Sequence, residues 1–222
     1  AIDFESSSPV PGPRFLSAYT TDTGGLDSTQ AYKSVRAHNA IYDLATIDGI
    51  GFGELEAQRS RIEAIEIEFD DVVTVDPAAF TIVKLGSGGG TVEFELTTEE
   101  VLEKTVATLQ LSGEFVEHDS LIDGRYELLI DGDFITGSHG QASDVDEDGL
   151  RGGQITTSFH RYFADFDGDA TVDALDFTAF RDTFAKSEAH DGFLEQFDFD
   201  NDGEIGIEDF IELRRRFGQP LA

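Results

Sequence analysis

The residues best suited to chemistry are two sets of carboxylates that recur at the same spacing near the end of the chain. The first set lies in Asp165-Phe-Asp-Gly-Asp-Ala-Thr-Val-Asp-Ala-Leu-Asp176. The second begins thirty-three residues later, in Asp198-Phe-Asp-Asn-Asp-Gly-Glu-Ile-Gly-Ile-Glu-Asp209. Every acid of the first set except Asp173 recurs at the same offset. Scattered acids need only solubility as an explanation, whereas acids that repeat at fixed offsets indicate binding.

Oxygen ligands in this order suit a divalent cation, and Ca²⁺ in particular. Ca²⁺ takes six to eight oxygens at about 2.3–2.6 Å, and a loop of about twelve residues supplies them from positions 1, 3, 5, 7, 9 and 12. In loop 1 (165–176) the predicted ligands are Asp165, Asp167, Asp169, the carbonyl of Thr171, Asp173 and Asp176. In loop 2 (198–209) they are Asp198, Asp200, Asp202, the carbonyl of Glu204 and Asp209. Gly206 leaves position 9 of loop 2 to a water molecule.

A third acidic stretch precedes these two loops. Loop 3 (144–155) opens with Asp144-Val-Asp-Glu-Asp-Gly-Leu150. Its predicted ligands are Asp144, Asp146, Asp148 and the carbonyl of Leu150. Position 12 is Ile155, so we expect Asp131 or Asp133 in the preceding turn to supply the missing carboxylate. A calcium ion here would make the joint between the two parts of the chain more rigid.

Apolar residues at helical spacing follow loops 1 and 2. After loop 1 they are Phe177, Phe180 and Phe184, and after loop 2 they are Phe210, Leu213 and Phe217. Spacings of three and four place each set on one helix face, so position 12 of each loop is predicted in the first turn of an outgoing helix. A short helix is predicted between the halves, over residues 187–197. Val172 and Ile205, at position 8, are predicted to face each other across a short two-stranded contact.

The chain before loop 3 has the period of β-strands. Apolar and acidic residues alternate in Ile65-Glu-Ile-Glu-Phe69 and in Val92-Glu-Phe-Glu-Leu96, which indicates sheets buried on one face. Short strands separated by Gly- and Asp-rich breaks are typical of an immunoglobulin-like antiparallel β-sandwich. Asp123-Gly-Arg-Tyr126 matches the tyrosine corner of such folds. The acidic segment Thr97 to Glu103 is predicted to form a helical turn.

The predicted fold class is therefore mostly β, with a sandwich followed by a small α-helical pair of calcium loops. Residues 1–36 are predicted to be a linker or the tail of a preceding module, because Ser6 to Pro13 disfavours regular structure. One strand at Phe15 to Tyr19 is compatible with this. Residues 37–163 are predicted to form the β-sandwich domain, and residues 164–222 the calcium-binding domain.

Composition narrows the classes of partner. Fifteen Lys and Arg face 46 Asp and Glu, so the net charge is −31, which argues against binding nucleic acid or an anionic membrane surface. The chain has no cysteine, so disulfide bonds and thiolate metal sites are excluded. Bound Ca²⁺ is an alternative means of stabilising the fold. The sequence has no apolar run of about 18 residues, so no membrane insertion is predicted. A chain that begins at Ala1 and contains no Met is expected to be a fragment or a processed piece of a longer precursor.

Motifs of catalysis are missing from the sequence. None of the five His forms an i, i+4 pair of the kind that binds catalytic zinc, and His160 is predicted to be structural. There is no nucleophile elbow, P-loop or dinucleotide fingerprint. The glycine-rich segment Lys84 to Gly90 is interpreted as a hairpin loop. We predict a protein that is not an enzyme.

The duplicated loops resemble the type I dockerin family over about 58 residues. The resemblance rests on Asp at position 12 in both loops, on the outgoing helices, and on the strand-like segment Thr156 to Phe163 where an EF-hand would have an incoming helix. An acidic sandwich followed by this module is similar to large secreted proteins of planctomycete-type bacteria. The resemblance implies a secreted or cell-surface protein that binds Ca²⁺ and docks a cohesin-like partner. The docking face it implies comprises Thr178, Ala179, Arg181, Asp182, Glu212, Arg214 and Arg215.

Three functional hypotheses follow. The first is a non-catalytic extracellular calcium-binding module for cell-surface attachment or protein–protein docking. The second is a structural subunit of a surface layer or fibre that self-associates through bound calcium. The third is a carbohydrate-binding accessory module of a larger hydrolase, which five Tyr and no Trp disfavour because stacking on sugars needs such side chains. Positions 10 and 11 are Ala174-Leu175 and Ile207-Glu208, where cellulosomal dockerins commonly carry a Ser-Thr pair.

Overall fold

The computed structural model describes residues 44–52 and 58–221. The predicted linker 1–36 and its strand at Phe15 to Tyr19 lie outside these residues. The described strands are β1 (Ile47–Gly51), β2 (Ala64–Phe69), β3 (Val73–Val75), β4 (Phe80–Lys84), β5 (Gly90–Val101), β6 (Lys104–Ser112), β7 (Val116–Glu117), β8 (Ser120–Leu121), β9 (Gly124–Asp131), β10 (Ile135–Gly137) and β11 (Gln154–Arg161). The α-helices are α1 (Ala174–Thr183) and α2 (Ile207–Arg216), and single 3₁₀ turns occupy Pro77–Ala79, Gly132–Phe134 and Glu195–Phe197.

Seven strands form one antiparallel sheet in the order β1-β2-β6-β5-β4-β9-β11. The long strand β5 joins the two halves of this sheet, since Gly90 to Val92 pair with β4 and Glu93 to Val101 pair with β6. Sharing one strand in this way curls the sheet around its apolar face. The predicted mostly β antiparallel class, followed by two helices, is confirmed. The immunoglobulin-like arrangement of two packed sheets stays a prediction.

The curl encloses the apolar members of the alternating strands. Ile65, Ile67 and Phe69 are fully buried, whereas Glu66 and Glu68 between them are exposed. Burying such a side chain contributes about 1.5–3 kcal/mol, so this alternation decides which face of each strand turns inward.

The tyrosine-corner hydrogen bond expected from the sequence is present. Tyr126, at the start of β9, is fully buried, and its hydroxyl donates to the carbonyl of Ile122 at 2.6 Å. A buried phenol needs such a partner because an unpaired hydroxyl in the core is destabilising. The bond closes the turn that leads into β9.

Two local predictions were wrong. The acidic segment Thr97 to Glu103 is not a helical turn, because β5 continues to Val101 and pairs with β6 along its length. Cross-strand pairing outweighs the weak local preference of its acids for a helix. Within the predicted helix 187–197, only Glu195–Phe197 is helical, as one 3₁₀ turn.

The two helices pack on a second apolar core. Its buried members are Tyr162, Phe163, Ala164, Val172, Phe180, Phe197, Ile205 and Leu213. Val172 and Ile205 both lie in this core, but the backbone contact predicted between them is replaced. The carbonyl of Val172 accepts from Gly218 at 2.9 Å, and Ile205 exchanges hydrogen bonds with Ala185 and Lys186 at 2.8 Å. Each loop is therefore tied to the chain that leaves the other loop's helix.

The sheet and the helices meet end to end. β11 ends at Arg161, and loop 1 begins at Asp165, so no incoming helix precedes this loop, as predicted. Residues 44–52 and 58–161 are termed the β region, and residues 162–221 the helical region. Within the described residues, no helix is long and apolar enough to cross a membrane.

Candidate metal centres

Loop 1 folds around the side chain of its first residue. Asp165 is fully buried. Its Oδ1 accepts the backbone N–H of Gly168 at 2.7 Å and of Asp169 at 3.1 Å, and its Oδ2 accepts that of Ala170 at 2.9 Å. Oδ1 of Asp169 then accepts the N–H of Thr171 at 2.8 Å. These bonds curl the backbone so that several oxygens face one point.

Loop 2 repeats the bonds to positions 5, 6 and 7. Oδ1 of Asp198 accepts the N–H of Asp202 at 3.2 Å, and its Oδ2 accepts that of Gly203 at 2.8 Å. Oδ1 of Asp202 accepts the N–H of Glu204 at 2.9 Å. The sequence repeat is therefore a repeat of geometry as well.

Loop 3 has the same turn although it lacks an acid at position 12. The two carboxylate oxygens of Asp144 accept the N–H groups of Asp148 at 3.1 Å and Gly149 at 2.9 Å, and Asp148 accepts that of Leu150 at 2.7 Å. In all three loops, positions 4 and 6 have left-handed backbone. These residues are Glu147 and Gly149, Gly168 and Ala170, and Asn201 and Gly203.

The carboxylates of each loop converge. In each group, ligand oxygens lie within 4.8 Å of one another. The groups are Asp144, Asp146 and Asp148; Asp165, Asp167 and Asp176; and Asp198, Asp200 and Asp209. The predicted ligands at positions 1, 3 and 12 are thus brought together in loops 1 and 2, and those at positions 1, 3 and 5 in loop 3.

The other predicted carboxylate ligands in loop 1 make backbone contacts. Asp169 holds the N–H of Thr171, and Asp173 caps α1 by accepting the N–H of Leu175 at 2.7 Å. Next to loop 3, Asp131 accepts from Asp133 N–H at 3.0 Å and from Gln154 at 2.6 Å. Neither Asp131 nor Asp133 is in the carboxylate group of loop 3.

The acid at position 12 ties each loop to its helix. Oδ2 of Asp176 accepts the N–H of Asp173 at 2.8 Å, and its Oδ1 accepts that of Phe166 at 2.8 Å. The first bond is half of a capping box, which fixes the start of a helix. Asp209 does the same with Gly206 at 2.6 Å and Phe199 at 2.7 Å. A cation bound to these acids would therefore stabilise the helix starts as well as the loops.

Burial and mutual repulsion shift the titration of the converging acids. Burial raises the pKa of Asp176 to about 6, and nearby Asp167 and Asp165 add to the rise, while backbone N–H groups oppose it. Burial likewise raises the pKa of Asp209, of Asp200 and of Asp167, with neighbouring acids contributing. Like charges this close are unfavourable unless a cation compensates them.

These residues fit a hard divalent cation. The converging donors are all oxygens, which Ca²⁺ and Mg²⁺ prefer. Oδ1 of Asp200 is buried and has no hydrogen-bond partner in the part of the chain that the structure describes. A buried carboxylate oxygen without a partner is destabilising, and a metal bond would satisfy it. Loops of this length, which combine carboxylates with a backbone carbonyl at position 7, suit the larger calcium ion better than the strict octahedron of magnesium.

Residues of the β region that were not predicted to take part in the sites also contact the loops. His160, near the end of β11, lies 2.7 Å from Asp165, measured from Nε2 to Oδ2. The guanidinium of Arg61 donates to the carbonyl of Asp198 at 2.7 Å. The short distance along the chain from His160 to loop 1 hints at the first contact. Nothing local signals the second, because 137 residues separate Arg61 from Asp198.

Comparison with known proteins supports this assignment of the helical region. Residues 163–218 match the family model of the dockerin type I domain. The chain matches no curated protein. Dockerin domains bind Ca²⁺ and act as non-catalytic docking modules whose protein partners are cohesins. The family match thus confirms the resemblance that the duplicated loops predicted.

Proposed function

We propose that this protein, with a dockerin type I domain at residues 163–218, is a non-catalytic secreted or cell-surface protein that docks another protein when calcium is bound. The observation that carries the proposal is the repeat of one carboxylate geometry in loops 1 and 2, inside the family match. The family match supports the extracellular or cell-surface location, because dockerin modules occur in such proteins.

Loops 1 and 2 each bind one calcium ion in this proposal. The ligands of loop 1 are Asp165, Asp167, Asp169, the carbonyl of Thr171, Asp173 (directly or through water) and Asp176. Those of loop 2 are Asp198, Asp200, Asp202, the carbonyl of Glu204 and Asp209. Bound calcium neutralises acids that otherwise repel one another and so stabilises both helix starts.

Loop 3 binds a third calcium ion. Its support is the set of hydrogen bonds around Asp144, which matches the first turns of loops 1 and 2. Asp144, Asp146, Asp148 and the carbonyl of Leu150 are the protein ligands, with water at the remaining positions. Fewer carboxylates make this the weakest of the three sites.

The docking surface lies on the outer faces of α1 and α2. Leu175 and Ile207, at positions 11 and 10 of their loops, are 68% and 64% exposed. The ring centroids of Phe177 and Phe210 lie 6.5 Å apart, and both residues are more than a third exposed. This contact brings the first turns of α1 and α2 together, and exposed large apolar side chains on two adjacent helix starts support a binding site for another protein. Its apolar character favours a cohesin-like partner with an apolar contact surface.

Binding to a panel of purified cohesin domains tests this proposal, with calcium and with excess chelator. We expect at least one cohesin to bind only with calcium. The double variant Leu175→Asp with Ile207→Asp should lose that binding while its calcium affinity stays near wild type. Leu102→Asp is the matched control, since Leu102 is 92% exposed on the turn between β5 and β6. Calcium-dependent self-association without any cohesin binding would instead support the structural-subunit hypothesis.

A further inference from the structure

We infer that the β region supplies outer contacts to both dockerin calcium loops, through His160 and Arg61, so that the metal sites and the contact between the two regions stabilise each other. The inference rests on the proposed calcium binding. It extends that proposal by giving His160 and Arg61 the role of positioning residues for the metal ligands. It also predicts that the dockerin domain is held in a fixed orientation on the β region.

Two contacts from the β region hold loop 1, and both are made to Asp165. The imidazole of His160 bonds Oδ2 of Asp165 at 2.7 Å, and the backbone N–H of Arg59 donates to the carbonyl of Asp165 at 2.9 Å. Both side chains of the imidazole–carboxylate pair are at most 9% exposed. Asp165 is position 1 of loop 1, so His160 orients a metal ligand from outside the metal's own shell.

Loop 2 is held by Arg61, two residues after Arg59. Nη1 of Arg61 donates to the carbonyl of Asp198 at 2.7 Å, and Asp198 is position 1 of loop 2. Gln58 fixes this arginine by bonding its backbone N–H at 3.0 Å and its carbonyl at 2.7 Å. The first residues of both loops therefore meet one short segment, 58–61.

Ser60, between the two arginines, also spans the boundary. Its hydroxyl donates to the carbonyl of Gln196 and accepts the N–H of Ala164 at 2.7 Å. Ser60 is fully buried, so both bonds form away from water. Residues next to loop 1 and next to loop 2 are thus linked through one side chain.

The hairpin β7–β8 adds a contact at the far side of loop 2. Asp119 accepts a hydrogen bond from Asn201 at 2.8 Å, and the ring of His118 lies 5.4 Å from that of Phe199. Positions 2 and 4 of loop 2 are therefore in contact with the β region as well.

Outer contacts of this kind matter because they fix a ligand before the metal arrives. Loss of an outer-shell partner typically lowers metal affinity about 10- to 100-fold. Because linkage is reciprocal, metal that favours the docked arrangement is itself bound more tightly by that arrangement. Loop 3 provides an internal reference, since the N–H of its first residue, Asp144, is held by the carbonyl of Ala45 instead.

Calcium titration calorimetry on the full chain tests the inference. We expect His160→Ala to weaken one site about 10-fold or more and to leave the loop 3 site unchanged. His160→Gln keeps a donor of similar reach and should restore most of the affinity, and exposed His139→Ala is the control. Arg61→Met should weaken the other dockerin site. Unchanged affinities in both His160→Ala and Arg61→Met would overturn the inference, whereas a wild-type chain that binds no calcium would overturn the proposed function too.

A measurement on the wild-type chain covers the case in which these variants do not fold. Hydrogen exchange of the Arg59 amide reports the bond to the Asp165 carbonyl directly. Calcium should slow this exchange about 5- to 150-fold, the range of ordinary coupling energies. Exchange at Arg59 that is the same with calcium and with chelator, in a chain that binds calcium at loop 1, would contradict the inference.

Discussion

Asp123 and Arg216 form an ion pair between the two regions, with 2.6 Å between Oδ2 and Nε. Asp123 lies in the turn between β8 and β9, and Arg216 ends α2. The other oxygen of Asp123 accepts from Arg161 at 2.6 Å and from the N–H of Phe163 at 2.9 Å. Arg216 also lies 5.3 Å above the ring of Phe163. One carboxylate thus joins the end of β11, the start of the helical region and the last turn of α2.

Replacing Asp123 should loosen this junction. Asp123→Ala leaves the buried guanidinium of Arg161 without its acid, so we expect a loss of about 2–3 kcal/mol in the free energy of unfolding. This is less than the about 3–5 kcal/mol of a fully buried pair, because Asp123 is partly exposed. Urea denaturation measures the change. Asp182→Ala is the control, since its pair with Arg181 is exposed and should contribute below about 1 kcal/mol. Equal effects of the two substitutions would contradict the role given to Asp123.

Asp176→Asn should change the stability far more with calcium than without it. Without calcium, burial raises the pKa of Asp176 from 3.8 to about 6, so its ionisation destabilises the fold progressively over this pH range and fully above it. Removing the charge at neutral pH relieves this cost, at about 1.4 kcal/mol per pKa unit, but asparagine keeps only one of the two oxygens that accept the N–H groups of Asp173 and Phe166. These two effects oppose each other, so the chelated protein should change little in stability, whereas the loss of a ligand should clearly destabilise the calcium-bound protein.

Thermal unfolding with calcium and with chelator measures both effects of Asp176→Asn. Asp182→Asn, on the exposed face of α1, should change neither melting temperature appreciably. If Asp176→Asn lowers the melting temperature by no more in calcium than in chelator, the carboxylate is not a metal ligand.

Substitutions in loop 3 separate a ligand from a nearby charge. Asp146→Asn should remove one calcium equivalent, because Asp146 lies in the carboxylate group. Glu147→Gln removes the same charge one residue away, at the tip of the turn, and should retain the site with a slightly lower affinity. Calorimetry gives both stoichiometries. Loss of the site in both variants would mean that general acidity, and not the ligand set, attracts the ion.

Ala170 holds a left-handed backbone conformation, with φ +68°, that loops 2 and 3 assign to glycine. This conformation disfavours residues with a Cβ by about 1–2 kcal/mol. Ala170→Gly should therefore stabilise the helical region by about 1 kcal/mol, whereas the control Ala174→Gly, at the start of α1, should destabilise it by up to about 1 kcal/mol. Chemical denaturation compares the two. Destabilisation by Ala170→Gly would contradict the backbone assignment of loop 1.

The parts of this structure that follow from local sequence were predictable. The alternation at Ile65 to Phe69 indicated a strand, and the repeat of Asp165 and Asp198 indicated paired loops. What escaped prediction depends on distant residues. The contact of Arg61 with Asp198 forms only after the sheet has curled, and β5 extends to Val101 because β6 lies beside it. A sequence pattern shows the period of a helix or strand and which of its faces is apolar, whereas such contacts depend on how these elements pack in the folded protein.

The central claim is that calcium organises the dockerin loops and the helices attached to them. Circular dichroism of the full chain during chelation and calcium re-addition tests it most directly. We predict that chelation removes most of the helical signal of α1 and α2, that the β signal remains, and that calcium restores the helices while magnesium at equal concentration does so poorly. A helical signal that is the same in chelator and in calcium would contradict the claim.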